Sequence, residues 1–210
     1  MGATTTVSPW RMRRLGIVME PDPADPREAG GVLKPAATRG PDGQLYLLPR
    51  LVAAGNYSRI GLARVIFNRR STPVGVERLG VVLEPHAPYE LNPDTGGGVE
   101  DARITSIAAR RLYAMTYTAF GPAGPRITAA VSRDLAYWRR LGLGRFAPHH
   151  GIDLGGQENK DAVLFPEPVR APDGRLALAL IHRPAFPAAF AERVRLLHVP
   201  LEQGLHRPSM

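Results

Sequence analysis

Behind three consecutive glycines, Gly96-Gly97-Gly98, the chain places two acids and a base, Glu100, Asp101 and Arg103. Carboxyl and guanidinium groups are residue types that catalytic sites use. Glycine adopts backbone angles closed to other residues and lets a ligand approach the main chain closely. The following residues, Ile104-Thr105-Ser106-Ile107, are strand-like. The expected geometry is therefore a flexible loop that delivers Glu100, Asp101 and Arg103 to the start of a strand. Loops held by a rigid sheet are where catalytic groups gather. The same stretch also reads as a surface turn with solvated charges.

A second polar stretch runs Glu158-Asn159-Lys160-Asp161 and reaches Glu167, and a third is His182-Arg183-Pro184. Lys160 and His182 lie on either side of an Asp173-Gly174 hairpin turn, so both can face one cavity. A lysine, a histidine and nearby arginines suit a phosphate clamp, because charge-assisted bonds to oxyanions are strong. Taken alone, Lys160 beside Asp161 also fits an ordinary surface ion pair. His149-His150 with Asp153 makes no metal site, since adjacent imidazoles project differently and no third ligand is spaced to join them. Gly142-Leu143-Gly144 lacks the third glycine and the helix of a dinucleotide fingerprint. Trp10, Trp138 and Tyr117 can stack on sugar rings, although core packing is the commoner fate of large aromatics. Asp134 is expected to shape a turn.

The elements that must position these groups show themselves as a repeat. Gln44-Leu45-Tyr46-Leu47-Leu48 recurs as Arg111-Leu112-Tyr113-Ala114-Met115 and as Arg175-Leu176-Ala177-Leu178-Ala179. Arg59-Ile60-Gly61-Leu62-Ala63 matches Arg126-Ile127-Thr128-Ala129-Ala130, and Glu77-Arg78-Leu79-Gly80 echoes Arg139-Arg140-Leu141-Gly142. Asp42-Gly43 and Asp173-Gly174 precede apolar runs, as hairpin turns do. No segment carries a sustained helical period, and 21 prolines and 22 glycines interrupt every candidate. The expected class is all-β. Several strands per unit at a fixed period indicate a β-propeller, yet such rings close with 4–8 blades and this length holds about three. The expected organisation is an N-terminal segment over 1–28, an incomplete propeller over 29–184 and a divergent tail over 185–210. The chain is then a fragment, or has a replaced end, or has its ring completed by a partner, which includes a homo-oligomer.

With 210 residues, 44% hydrophobic and 22% charged, the composition fits one globular domain or two small ones. No apolar run reaches the roughly 18 residues that cross a bilayer. The basic start lacks the apolar core of a secretory signal. Without cysteine there is no disulfide or thiolate chemistry, which accords with a cytoplasmic location. The net charge of +8 raises nucleic acid as a partner, but all except two of the 27 basic residues are arginine, scattered as singles and pairs. That pattern speaks against nucleic acid and suits an anionic small substrate equally well.

Several stretches together resemble glycoside hydrolase family 130, the β-mannoside phosphorylases and their hydrolytic relatives. They are Tyr46-Leu47-Leu48-Pro49-Arg50, Ser58-Arg59-Ile60-Gly61-Leu62-Ala63, Gly98 to Thr105, Thr116-Tyr117-Thr118-Ala119, Asn159 to Glu167 and His182-Arg183-Pro184, in the family's order. The resemblance implies a five-bladed propeller with its active site in the central cavity, of which this chain would hold about three blades. It departs from the family at Lys34, where an asparagine is common, and at Ala102, where a proline is.

The resemblance further implies that Asp101 is the general acid, with the proton passing through a sugar hydroxyl. Inorganic phosphate then attacks the anomeric carbon from the opposite face to give α-mannose 1-phosphate, with no cofactor and no metal. An inverting hydrolase needs two carboxyl groups, one to activate water. Phosphate is already a nucleophile, so cations that hold it in line can replace the second carboxylate. Arg59, Lys160, His182 and Arg183 are the candidates for that clamp, and Arg50, Ser58, Glu100, Arg103, Tyr117 and Asp161 for contact with the β-mannoside. Glu100 can instead hold Arg103. If water is the nucleophile, the base must be Glu100, Asp161 or Glu167. A truncated, non-catalytic sugar-binding propeller is the alternative of a different class.

Overall fold

A computed structural model describes residues 12–92, 96–148, 153–171 and 173–185. Trp10, the His149-His150 pair and the tail beyond Ala185 lie outside the described residues. The architecture is all-β, with only short 3-10 turns between strands. β1 (Gly31–Arg39), β2 (Leu45–Ala53), β3 (Tyr57–Phe67) and β4 (Pro73–Leu83) form one antiparallel meander. β5 (Gly97–Ile107), β6 (Leu112–Gly121), β7 (Gly124–Ser132) and β8 (Arg139–Leu143) form a second. The two join where the start of β3 runs parallel to the start of β5, with Tyr57 opposite Gly97 and Ser58 opposite Gly98. No described sheet closes on itself.

The third unit is a hairpin whose two arms are each interrupted. β9 (Asn159–Leu164) continues into β10 (Val169–Arg170), and β11 (Leu176–Ala177) continues into β12 (Leu180–Pro184). β10 pairs with β11 and β9 with β12, and the Phe165 amide bonds the Ala179 carbonyl between them. The repeat seen in the sequence maps onto these elements. Leu45, Leu112 and Leu176 each open the second arm of a unit. Gly80 and Gly142 sit at matching register shifts in β4 and β8, both with left-handed φ, +99° and +95°.

The core lies between the meanders, where Leu48, Ile60, Val99, Met115, Ala119 and Ala130 are fully enclosed. The strands that carry them are buried on both faces, β2 from Leu48 to Val52 and β6 from Tyr113 to Ala119 without a break. The hydroxyls of Thr105 and Thr116 donate to the carbonyls of Leu164 and Ala162, tying the second unit to the third.

The triple glycine is not the open loop expected from the sequence. Gly96, Gly97 and Gly98 all have left-handed φ, and Gly97 and Gly98 open β5. A Cβ on Gly97 would lie 2.3 Å from the Phe120 carbonyl oxygen, and one on Gly98 would lie 2.3 Å from that of Ser58. Here glycine lets backbone approach backbone rather than a ligand: Gly98 against Ser58 joins the two meanders, and Gly97 against Phe120 packs β5 on β6 within the second. No helix among the described residues is long and apolar enough to cross a membrane.

Candidate active site

Each inner strand carries one irregularity at the same place. In β1 the register slips between Leu33 and Ala36, in β5 between Glu100 and Arg103, and in the β9–β12 pair between Ile181 and Arg183. The residue at each bulge has left-handed φ: Lys34 at 41°, Asp101 at 50° and Asp161 at 57°. Such angles are uncommon for residues with a side chain and are held in place by the surrounding sheet. A bulge inserts one residue and re-aims its side chain. The first strands of three successive units therefore present an ammonium, a carboxylate and a second carboxylate from equivalent positions.

Asp101 is the enclosed member, 4% exposed. Its Oδ2 accepts from Lys34 Nζ at 2.6 Å and its Oδ1 from Arg50 Nη1 at 3.3 Å. Arg50 is itself buried and binds four groups. Its Nη2 donates to Glu100 Oε1 at 2.8 Å and to Asn56 Oδ1 at 3.1 Å, and its Nε to Ser58 Oγ at 2.8 Å. Burial pushes the Glu100 carboxyl above the usual range, and Asp101 adds to this, against the opposing charges of Arg50, Lys160 and Lys34. Asp161 receives Nε of Arg183 at 2.7 Å. Burial would raise its carboxyl, but that bond, with the charges of Arg183, Lys34 and Arg103, holds it below the usual range.

The structure thus brings Asp101, Glu100, Arg50, Lys160, Asp161 and Arg183 into one cluster, with Arg103 beside Asp161, and adds Lys34 to it. His182 stands at its edge. Its Nδ1 meets the Asn159 amide at 3.0 Å, and Phe146 stacks on the ring with centroids 4.6 Å apart. The exposed cations are Lys34 and Arg183, with side chains 56% and 63% accessible.

Other expected members are placed elsewhere. Arg59 is the neighbour of Ser58 on β3, so alternation turns it to the opposite face. There its Nε bonds Glu84 at 2.9 Å and its guanidinium lies over the Tyr57 ring. Ser58 is fully buried beneath Arg50, where it supports the arginine and cannot touch a sugar. Tyr117 is 2% exposed and donates to Glu90 at 2.6 Å, so it belongs to the core. Trp138 is likewise packed inside and donates to the Leu135 carbonyl. Glu100 pairs with Arg50 rather than Arg103, whose Nη1 donates to the Ala102 carbonyl. Glu167 is in an exposed bend after β9. Asp134 does shape a turn, accepting the amides of Ala136 and Tyr137.

Two supports went unseen in the sequence. Glu28 accepts Nε and Nη2 of Arg78, and Glu90 accepts the same atoms of Arg140, each pair 50 residues apart. The spacing is identical in both units, and the two pairs bind the lead-in of each meander to its fourth strand. A search for charged pairs repeated at one separation would have found them.

No family model and no curated protein matches the chain. Solved structures do. A glycosyl hydrolase from Bacteroides ovatus superposes with a TM-score of 0.59 at 21% identity, covering 85% of this chain and 58% of its own. A β-1,2-mannobiose phosphorylase from Listeria innocua, in complex with β-1,2-mannobiose, gives 0.54 at 18% identity over 75% of this chain and 52% of its own. A structure from the GH130 family of mannoside phosphorylases, concerned with glycoside hydrolases that target β-1,2 mannosidic linkages in Candida mannan, gives 0.52 at 25% identity over 75% and 49%. The chain spans less than two thirds of the length of each. Its fold is that of carbohydrate-active glycoside hydrolases and phosphorylases.

Proposed function

We propose that the chain cleaves a β-mannoside with inorganic phosphate and inversion, giving α-mannose 1-phosphate. The observation that carries this reading is Asp101, enclosed at the left-handed bulge of β5, with Lys160 and Arg183 in the same cluster to hold an anion. The fold, shared with mannoside phosphorylases, makes a β-1,2-linked mannobiose the first substrate to try. In this reading the leaving oxygen enters where Lys34 Nζ now meets Asp101, and the proton reaches it by way of a sugar hydroxyl. Arg50 holds Asp101 and Glu100 in register from below. Lys160 and Arg183, with His182 at the edge, bind the phosphate on the far face of the ring. A preorganised set of cations lowers the barrier because the anion is already neutralised and aimed when it attacks.

A second reading has Glu100 as the proton donor. Burial pushes its carboxyl above the usual range, the direction that suits a proton donor. Water in place of phosphate would need a base, and Asp161, tied to Arg183, is the carboxylate facing the cluster. The test is sugar release from β-1,2-mannobiose with and without phosphate. Release that requires phosphate supports phosphorolysis. Release that is indifferent to phosphate makes the chain a hydrolase, and equilibrium binding without release makes it a sugar-binding propeller.

A further inference from the structure

Lys34 occupies an oxygen that the cleavage needs. Its Nζ donates to Asp101 Oδ2 at 2.6 Å, while Arg50 Nη1 donates to the other carboxyl oxygen at 3.3 Å. An oxygen that accepts an ammonium hydrogen cannot at the same moment pass a proton towards a departing sugar. The two cations differ in freedom. Arg50 is buried and also bound to Asn56, Ser58 and Glu100, so it stays. Lys34 is exposed, a compact ammonium on a flexible stem, so it is the partner that moves.

Charge decides what Lys34 moves to. The cations of the cluster are Lys34, Arg50, Arg103, Lys160 and Arg183, and they outnumber its carboxylates, Glu100, Asp101 and Asp161. Phosphate on the far face offsets that surplus while Asp101 is ionised. Once Asp101 carries the proton that it donates, a positive charge is left over, and Lys34 has lost its counter-ion. Asp161 is a poor replacement, because its Oδ2 already accepts Nε and Nη2 of Arg183. Inversion keeps phosphate on the face opposite the leaving oxygen. The new counter-ion therefore has to arrive on the leaving sugar itself.

From this geometry we infer that the sugar released is a hexuronic acid linked through its O4, and that Lys34 selects it. In such a sugar the C6 carboxylate lies beside the linkage oxygen. One ammonium can then pass from Asp101 to that carboxylate as the linkage oxygen takes its place. The bond from the anomeric carbon to that oxygen breaks, and the oxygen departs as the 4-hydroxyl of the uronic acid with the proton supplied by Asp101. The anomeric carbon bonds phosphate. The inference rests on the β-mannoside reading of the Asp101 cluster and adds the leaving sugar to it.

Its test compares β-mannosyl-1,4-glucuronic acid with β-mannosyl-1,4-glucose and β-1,2-mannobiose, each with phosphate. The readout is kcat/KM for release of mannose and mannose 1-phosphate by the full chain and by Lys34→Asn. Asparagine tolerates the left-handed φ of 41° and carries no charge, and unchanged thermal melting confirms that the variant folds. The acidic sugar should exceed both neutral ones by about tenfold or more, the worth of one charge-assisted bond. Lys34→Asn should bring it to the level of the glucose disaccharide, whereas loss of a merely structural lysine would lower both alike. A neutral sugar cleaved at least as well as the acidic one, or a preference that survives Lys34→Asn, overturns the acidic leaving sugar alone. Release from none of the three overturns the β-mannoside reading together with it.

Discussion

Arg50 decides the character of the candidate site. It is the cation that lets Glu100 and Asp101, adjacent in sequence and both buried, coexist in one cluster. Removing one partner of a buried ion pair strands the other, so Arg50→Met should cost about 3–5 kcal/mol of stability, read by urea denaturation. A variant as stable as the parent would show that the carboxylates find other partners. Glu100 has its own signature. Its folded form binds a proton more tightly than its unfolded form, so stability should fall as pH rises from the ordinary glutamate range to the higher folded value. Glu100→Gln should remove that slope. The acids and cations of this cluster were legible in the sequence as residue types. Which face each would occupy was not. Arg59 and Ser58 are neighbours on one strand, and the period of two sends only one of them under Arg50.

At the scale of elements, the bulges do the positioning. Lys34, Asp101 and Asp161 stand at the same irregularity of three inner strands, and each side chain leaves the regular alternation there. A β-bulge leaves little trace in composition, so Lys34 read as a departure from a family pattern rather than as a partner of Asp101. The order of strands was easier to read, because Leu45, Leu112 and Leu176 recur with their turns. The glycines were assigned to the wrong partner: their freedom serves contact with Ser58 and Phe120. The paired locks, Glu28 with Arg78 and Glu90 with Arg140, set each meander's entry against its last strand. Burial opposes charge on Glu90, yet bonds from Arg140, Tyr117 and the amides of His86 and Ala87 outweigh it and hold its carboxyl below the usual range. Its contribution is therefore present above the ordinary glutamate value and lost as pH falls through the lower folded one. Glu90→Ala should cost about 3–5 kcal/mol near neutrality, and the difference should shrink in an acid titration of thermal stability. A cost that does not change with pH would mean that Glu90 acts by packing alone.

Over the whole molecule, the described strands form two meanders and a hairpin without closing a ring, and the positive charge is excessive for the acids present. The all-β class and the repeat followed from local pattern. The way the units pack around the cluster did not, because packing between units is encoded by no single stretch. A net charge of +8 with exposed Lys34 and Arg183 beside the cluster predicts that phosphate stabilises the fold. Binding to the folded state adds about 2.7 kcal/mol at a hundredfold excess over Kd. Phosphate should therefore raise Tm more than chloride at equal ionic strength, and Lys160→Ala with Arg183→Ala should abolish the difference. Equal shifts with both salts would reduce the cluster to general screening.

The central claim is that one carboxyl, Asp101, starts the cleavage of a mannosidic bond that phosphate completes. Its most direct measurement is phosphorus NMR of the full chain and of Asp101→Asn, each incubated with β-1,2-mannobiose and inorganic phosphate. The parent chain should form α-mannose 1-phosphate, and the variant should fold but form it at least about a hundredfold more slowly. Equal rates of sugar phosphate formation in the two proteins would contradict the assignment of Asp101.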